Sequence, residues 1–229
     1  VHPGIVSNYL YLKESNDLRI TYIVPTHVSK ALLPSEKGII TIMTDQRGIP
    51  LHYECNDLSL NKQIFSENKN DVYVFNDLDI RYIHKSDKLQ YHFIAKTDIS
   101  GLKKLFSNKD IDKLISQEVV FIPYKDIGVK VFQIDDFQVV FIRPSEGLAP
   151  VFSKEHREIR DVLITNTTLP FQNIMNYYEG VYDIEETFYD IILPNDLLFL
   201  LSYFSKKEMI EMLVHILFMR LFLEHQLTY

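Results

Sequence analysis

Residues Val119–Arg143 read VVFIPYKDIGVKVFQIDDFQVVFIR, and this stretch decides the fold class. Val129–Ile134 and Phe137–Arg143 are two runs rich in β-branched and aromatic residues, separated by Asp135-Asp136. Such runs, bounded by turn-forming residues, pack as strands, and a two-residue acidic break between them makes a hairpin. Val119–Pro123 adds a third run just upstream.

The same pattern continues towards the N-terminus. Tyr9–Leu12 and Leu18–Val24 flank a turn built from Ser15, Asn16 and Asp17, and Pro25 ends the second run. Gly38–Met43 and Ile49–Cys55 are strand partners around Asp45-Gln46-Arg47-Gly48, a turn-forming cluster. Val72–Phe75 is a further strand, and Asp79–His84 with Leu89–Lys96 form a hairpin around Lys85–Lys88. Helical spacing enters at Ile99, Leu102, Leu105 and Phe106, then at Ile111, Leu114 and Ile115.

Towards the C-terminus, Arg143–Pro150 gathers Pro, Ser and Gly as a linker. Lys154–Ile164 is expected to be a charged helix, with Lys154/Glu158 and Arg157/Asp161 at i,i+4. After Pro170 the chain turns helical, with a short helix over Leu197–Tyr203. Ser205-Lys206-Lys207-Glu208 matches a capping box, which starts a helix from Lys206 to roughly His225. The expected fold is therefore α+β. Antiparallel strands fill residues ~5–143, with a helical insertion near 99–116 and a mainly helical C-terminal part. The expected division is a β-rich region 1–143 and a helical region 151–229 packed on it, as two domains or as one.

Composition narrows the function classes. With 229 residues, 46% hydrophobic and 24% charged, the chain has enough apolar content to bury a core, unlike disordered sequences. The single cysteine, Cys55, forms no internal disulfide, and no signal peptide follows Val1-His2-Pro3-Gly4. Both point to a cytoplasmic, reducing compartment. The net charge of −7 disfavours a general nucleic-acid binder. No Lys or Arg lies between Arg160 and Lys206, where seven acids account for the whole net charge.

The last helix is apolar nearly all round, whereas a surface helix carries one apolar stripe. Either it is the central strut of a core or one side awaits a partner. Glu211, His215 and Arg220 interrupt it, and the apolar run is shorter than a membrane span requires. Met209, Met212, Leu213, Ile216, Phe218, Met219 and Phe222 are the candidate partner-binding residues, for a protein partner or a homo-oligomer. Glu179, Asp183, Glu185 and Glu186, interleaved with tyrosines, form a candidate acidic docking surface, because charges steer encounter and aromatics anchor it.

Other constellations are weaker. His52 and Glu54 share a strand face and Cys55 takes the other, so the histidine has no local route to activate the thiol. No catalytic residue, metal site or cofactor is nominated: there is no nucleophile elbow, no glycine-rich phosphate loop and no EF-hand spacing. In the basic stretch Arg81–Lys113, alternation turns Tyr91 and Phe93 to one face and His92 and Lys96 to the other. That is a core hairpin before it is a single-strand-binding platform.

Ile39–Glu54 (IITIMTDQRGIPLHYE), followed by Ile80–Thr97, resembles the strand–turn–strand opening of longin-like domains of membrane-trafficking complexes. Phe137–Phe152 (FQVVFIRPSEGLAPVF) is similar to a cupin-strand phrase in ligand-sensing domains of AraC-type regulators. Neither carries a residue role across. The expected function is a non-catalytic protein–protein interaction or assembly domain. The alternatives are a ligand-sensing domain of a transcriptional regulator, and a hydrolase or nuclease whose site (His52, Glu54, His92, Asp136) forms only in three dimensions.

Overall fold

The computed structural model describes residues 18–25, 38–57, 70–75, 91–107, 109, 111–116, 121–144, 161–192 and 206–228. These hold nine strands and four helices: an α+β protein. The strands are β1 (Arg19–Pro25), β2 (Gly38–Asp45), β3 (Pro50–Asp57), β4 (Asp71–Phe75), β5 (His92–Thr97), β6 (Ile122–Tyr124), β7 (Ile127–Ile134), β8 (Phe137–Pro144) and β9 (Asp161–Thr165). The helices are α1 (Ile99–Leu105), α2 (Ile111–Ser116), α3 (Phe171–Ile192) and α4 (Lys206–Thr228). Contacts divide the chain into two compact units, one of Val1–Asn76 with Met175–Tyr229 and one of Asp77–Ile174.

In the first unit the strands lie in the order β3-β2-β1-β4. The β2–β3 pair is the hairpin expected around Asp45–Gly48. Asp45 builds its turn: one carboxylate oxygen accepts from the Arg47 and Ile49 amides at 2.9 and 3.0 Å. Gly48 supplies the positive φ of 85° that a side chain would oppose. Cross-strand partners share a face, so the row Tyr22, Ile42, Tyr53 follows from the registers of β1 with β2 and β2 with β3. Ile20, Tyr22, Ile42 and Leu51 are all buried. β4 corrects the expectation of purely antiparallel strands, because it runs parallel to β1. All five of its residues are buried, as befits a parallel strand covered on both faces. Its Asp71 pairs with Arg19, and both side chains are buried.

In the second unit the order is β5-β9-β8-β7-β6, all antiparallel. The β7–β8 hairpin turns at Asp135, whose φ of 51° an aspartate tolerates. One sheet face carries the rings of Phe132 and Phe141 at 5.5 Å, and Phe137 lies between Phe93 and Phe106 at 6.2 and 5.7 Å. α1 and α2 are the helical insertion expected near 99–116. Asp98 caps α1, accepting from the Gly101 amide at 2.6 Å.

Lys130 is buried on β7, and its ammonium donates to the Ile115 and Leu114 carbonyls at the end of α2, at 3.3 and 3.5 Å. It also lies 4.7 Å from the Phe132 ring centre. Burial lowers its pKa, and the nearby Arg143 charge adds to that. Pro123 on the terminal strand β6 removes a ladder donor at the sheet edge, a common guard against edge-to-edge pairing.

The charged helix expected through Ile164 is corrected by β9. Asp161 reaches Lys96 on β5 at 2.8 Å, and Val162, Leu163 and Ile164 are buried between β5 and β8. The C-terminal part is thus a strand followed by helices, not a helical block. β8 and β9, on either side of the Pro/Gly/Ser cluster, pair with each other. Tyr9–Leu12, most of the Asp79–Lys96 hairpin, Ser205 and Leu197–Tyr203 lie outside the described residues.

Candidate functional site

α4 follows the expected course from Lys206. At about 100° per residue, Leu213, Val214, Leu217, Phe218 and Leu221 share one side, and all five are buried. That side packs on β3: the Phe218 ring lies 5.2 Å from Tyr53, and Tyr53 Oη lies 3.1 Å from His215 Nδ1.

Met212, Ile216, Met219 and Leu223 fall within roughly 60° of arc on the opposite side. Met219 is 38% exposed and Leu223 54%, while Met212 and Ile216 are half-buried. Their steps of four, three and four residues trace the seam by which a helix presents knobs to another helix. Arg220 flanks this stripe, with its Nε 2.7 Å from the Glu224 carboxylate.

Of the sequence candidates, the structure groups Met212, Ile216 and Met219 on the outer side and adds Leu223. It places Leu213 and Phe218 in the unit's own core, and Phe222 is half-buried at the flank. Met209 lies on the helix, with its side chain outside the described residues. Leu223 was missed because its apolar character is shared by nearly every neighbour. The signal that finds it is the four-three-four spacing.

The acidic stretch lies on α3, where Asp183 is exposed and Glu179 half-buried. Glu185 and Glu186 are on the same helix, with side chains outside the described residues. Of the tyrosines here, Tyr182 is exposed and Tyr177 half-buried. Tyr178 is buried, its hydroxyl 2.9 Å from that of Tyr182. Tyr22 on β1 points at Gly180 in the middle of α3. Burial raises the Tyr22 phenol well above its ordinary range; the Tyr177 and Asp183 charges add to this, and a Thr44 hydrogen bond acts against it. Tyr177 is also raised, by burial and then by Asp45.

His52 Nε2 and a Glu54 oxygen lie 3.2 Å apart on β3, both well exposed. His92 and Asp136 belong to the other unit. Among the described residues no group of three His, Cys, Asp or Glu gathers as a metal site. Among them, too, no helix is long and apolar enough to cross a membrane. Phe93 faces inward among rings, and Lys96 pairs with Asp161. No protein-family model matches the chain, nor does any curated protein or solved structure.

Proposed function

We propose that this chain is a non-catalytic protein–protein interaction or assembly domain whose docking face is the outer side of α4. One observation carries the reading: α4 has two apolar sides, and the chain's own core takes one of them. Exposed apolar residues scattered singly need no explanation. Two exposed and two half-buried ones at helix-pairing spacing on one side match the anchors of helix-in-groove recognition.

A photo-crosslinking amino acid at Leu223, introduced in the native host, tests it. A discrete cross-linked species that disappears on Met219→Glu supports the reading. Its absence, with the variant folded by circular dichroism, overturns it. A control separates docking from folding. Leu217→Glu buries an unpaired charge and unfolds the protein, whereas Met219→Glu and Leu223→Glu leave its melting temperature nearly unchanged.

A further inference from the structure

Resting on that reading, we infer that Met219 is a modification site through which a peroxide controls the outer α4 face: oxidation of its thioether to the sulfoxide weakens docking there. Of the methionines whose side chains are described, Met219 is the exposed one, at 38%. Met43 and Met212 are half-buried, and Met175 is 3% exposed. His215 and Leu223, about one helical turn to either side, are exposed as well. Solvent therefore reaches Met219 along the helix as well as from outside.

The chemistry needs one co-reactant, hydrogen peroxide or an organic peroxide. A sulfur lone pair attacks one peroxide oxygen. An S–O bond forms, the O–O bond breaks, and the sulfur gives up two electrons. The other oxygen takes the proton of the transferred one and leaves as water, or as an alcohol from an organic peroxide. A flexible apolar side chain becomes a polar, chiral one, and sulfoxide reductases reverse the change.

Position decides what the added oxygen does. In the free chain it stays in water, while Leu213, Val214, Leu217, Phe218 and Leu221 hold α4 from the other side. The fold is spared. In the docked state the same oxygen is carried into an apolar contact between Ile216 and Leu223, where a polar group without a hydrogen-bond partner is costly. A sulfoxide at Met175, by contrast, disrupts the core. The order in which the methionines react thus separates a switch from damage.

The test uses the full chain with Cys55→Ser, which removes the thiol that peroxide also attacks. Hydrogen peroxide is titrated against it, and the added oxygen is located by peptide mass spectrometry. Met219 is expected to react before Met43 and Met212 and roughly tenfold faster than Met175, with the melting temperature nearly unchanged at full conversion. Another methionine reacting first, or unfolding in step with Met219 conversion, overturns the inference. The photo-crosslink at Leu223 then reads docking. Peroxide is expected to lower the adduct roughly tenfold. Met219→Leu, apolar and inert to peroxide, preserves it, and the polar, uncharged Met219→Gln lowers it without peroxide. An adduct that survives full conversion of Met219, or that peroxide abolishes equally in Met219→Leu, overturns the inference and leaves the interaction reading standing. No adduct before peroxide overturns both.

Discussion

Gly180 stands near the middle of α3, where alanine is favoured over glycine by about 1 kcal/mol. Propensity alone therefore makes Gly180→Ala stabilising. The structure says otherwise. A Cβ built at position 180 lies 2.5 Å from Tyr22 Oη, 2.9 Å from Cζ and 3.2 Å from Cε1. Ordinary contact requires the ring to withdraw by almost 1 Å. Tyr22 is only 4% exposed and rigid beyond its second torsion. Overpacking of this kind costs about 1–3 kcal/mol. Set against the helix gain, the net is a loss of about 1 kcal/mol. Urea unfolding followed by circular dichroism is the assay, because the chain has no tryptophan. Tyr22→Phe removes the nearest atom, so Gly180→Ala in that background recovers part of the loss. The double-mutant cycle then returns a coupling of about 1 kcal/mol. If Gly180→Ala stabilises by the full propensity increment and adds independently to Tyr22→Phe, the packing of α3 on β1 argued above is wrong.

Three further outcomes are expected. Lys130→Met keeps the stem but strips the donor from the Leu114 and Ile115 carbonyls; it costs about 1–3 kcal/mol in urea unfolding and speeds amide exchange in α2. Asn166 donates to the Tyr91 carbonyl and accepts from the Phe93 amide, both at 2.9 Å, so Asn166→Ala loses about 1–2 kcal/mol and deprotects the Phe93 amide. The raised Tyr22 phenol makes stability fall in alkali. Below its unfolded pKa of 10.0 both states hold the proton, and above it the unfolded state releases the proton first, at a limiting slope of about 1.4 kcal/mol per pH unit. Tyr22→Phe flattens that decline, and an unchanged alkaline slope in the variant would contradict a buried, neutral phenol.

The hairpins were legible because their signals are local. Asp135-Asp136 between two β-branched runs yields β7–β8, and Asp45–Gly48 yields β2–β3. The helical insertion was legible for the same reason, through the periodicity of Ile99, Leu102, Leu105 and Phe106. β9 was not. Its Val162-Leu163-Ile164 core is a short apolar run, and such a run is compatible with a buried helix or with a strand covered on both faces. The charge pairing that favoured a helix drew Asp161 towards Arg157, whereas its partner is Lys96, on a strand distant in sequence. The parallel placement of β4 beside β1 is likewise a non-local choice that no adjacent turn records. Gly180 gave no warning, because a glycine spared for a ring on another element looks like any other helix glycine.

The last helix shows how far composition can go before geometry must take over. Its excess of apolar residues was visible, and the question of which side the core takes was not, because leucine, isoleucine and methionine stand on both. Only the burial of Leu213, Val214, Leu217, Phe218 and Leu221 against the rest of its unit separates the sides. Once separated, they differ in kind. The inner side mixes Leu, Val and Phe at steps of one and three residues, the width of stripe that a helix buries against its own core. The outer side keeps strict four-three-four steps and includes two methionines, whose flexible thioethers suit an adaptable contact. A helix that serves only its own core needs no second apolar side. The second apolar side of α4 is the observation on which the proposed interaction reading rests, and on that proposal Met219→Glu weakens association while leaving the fold intact.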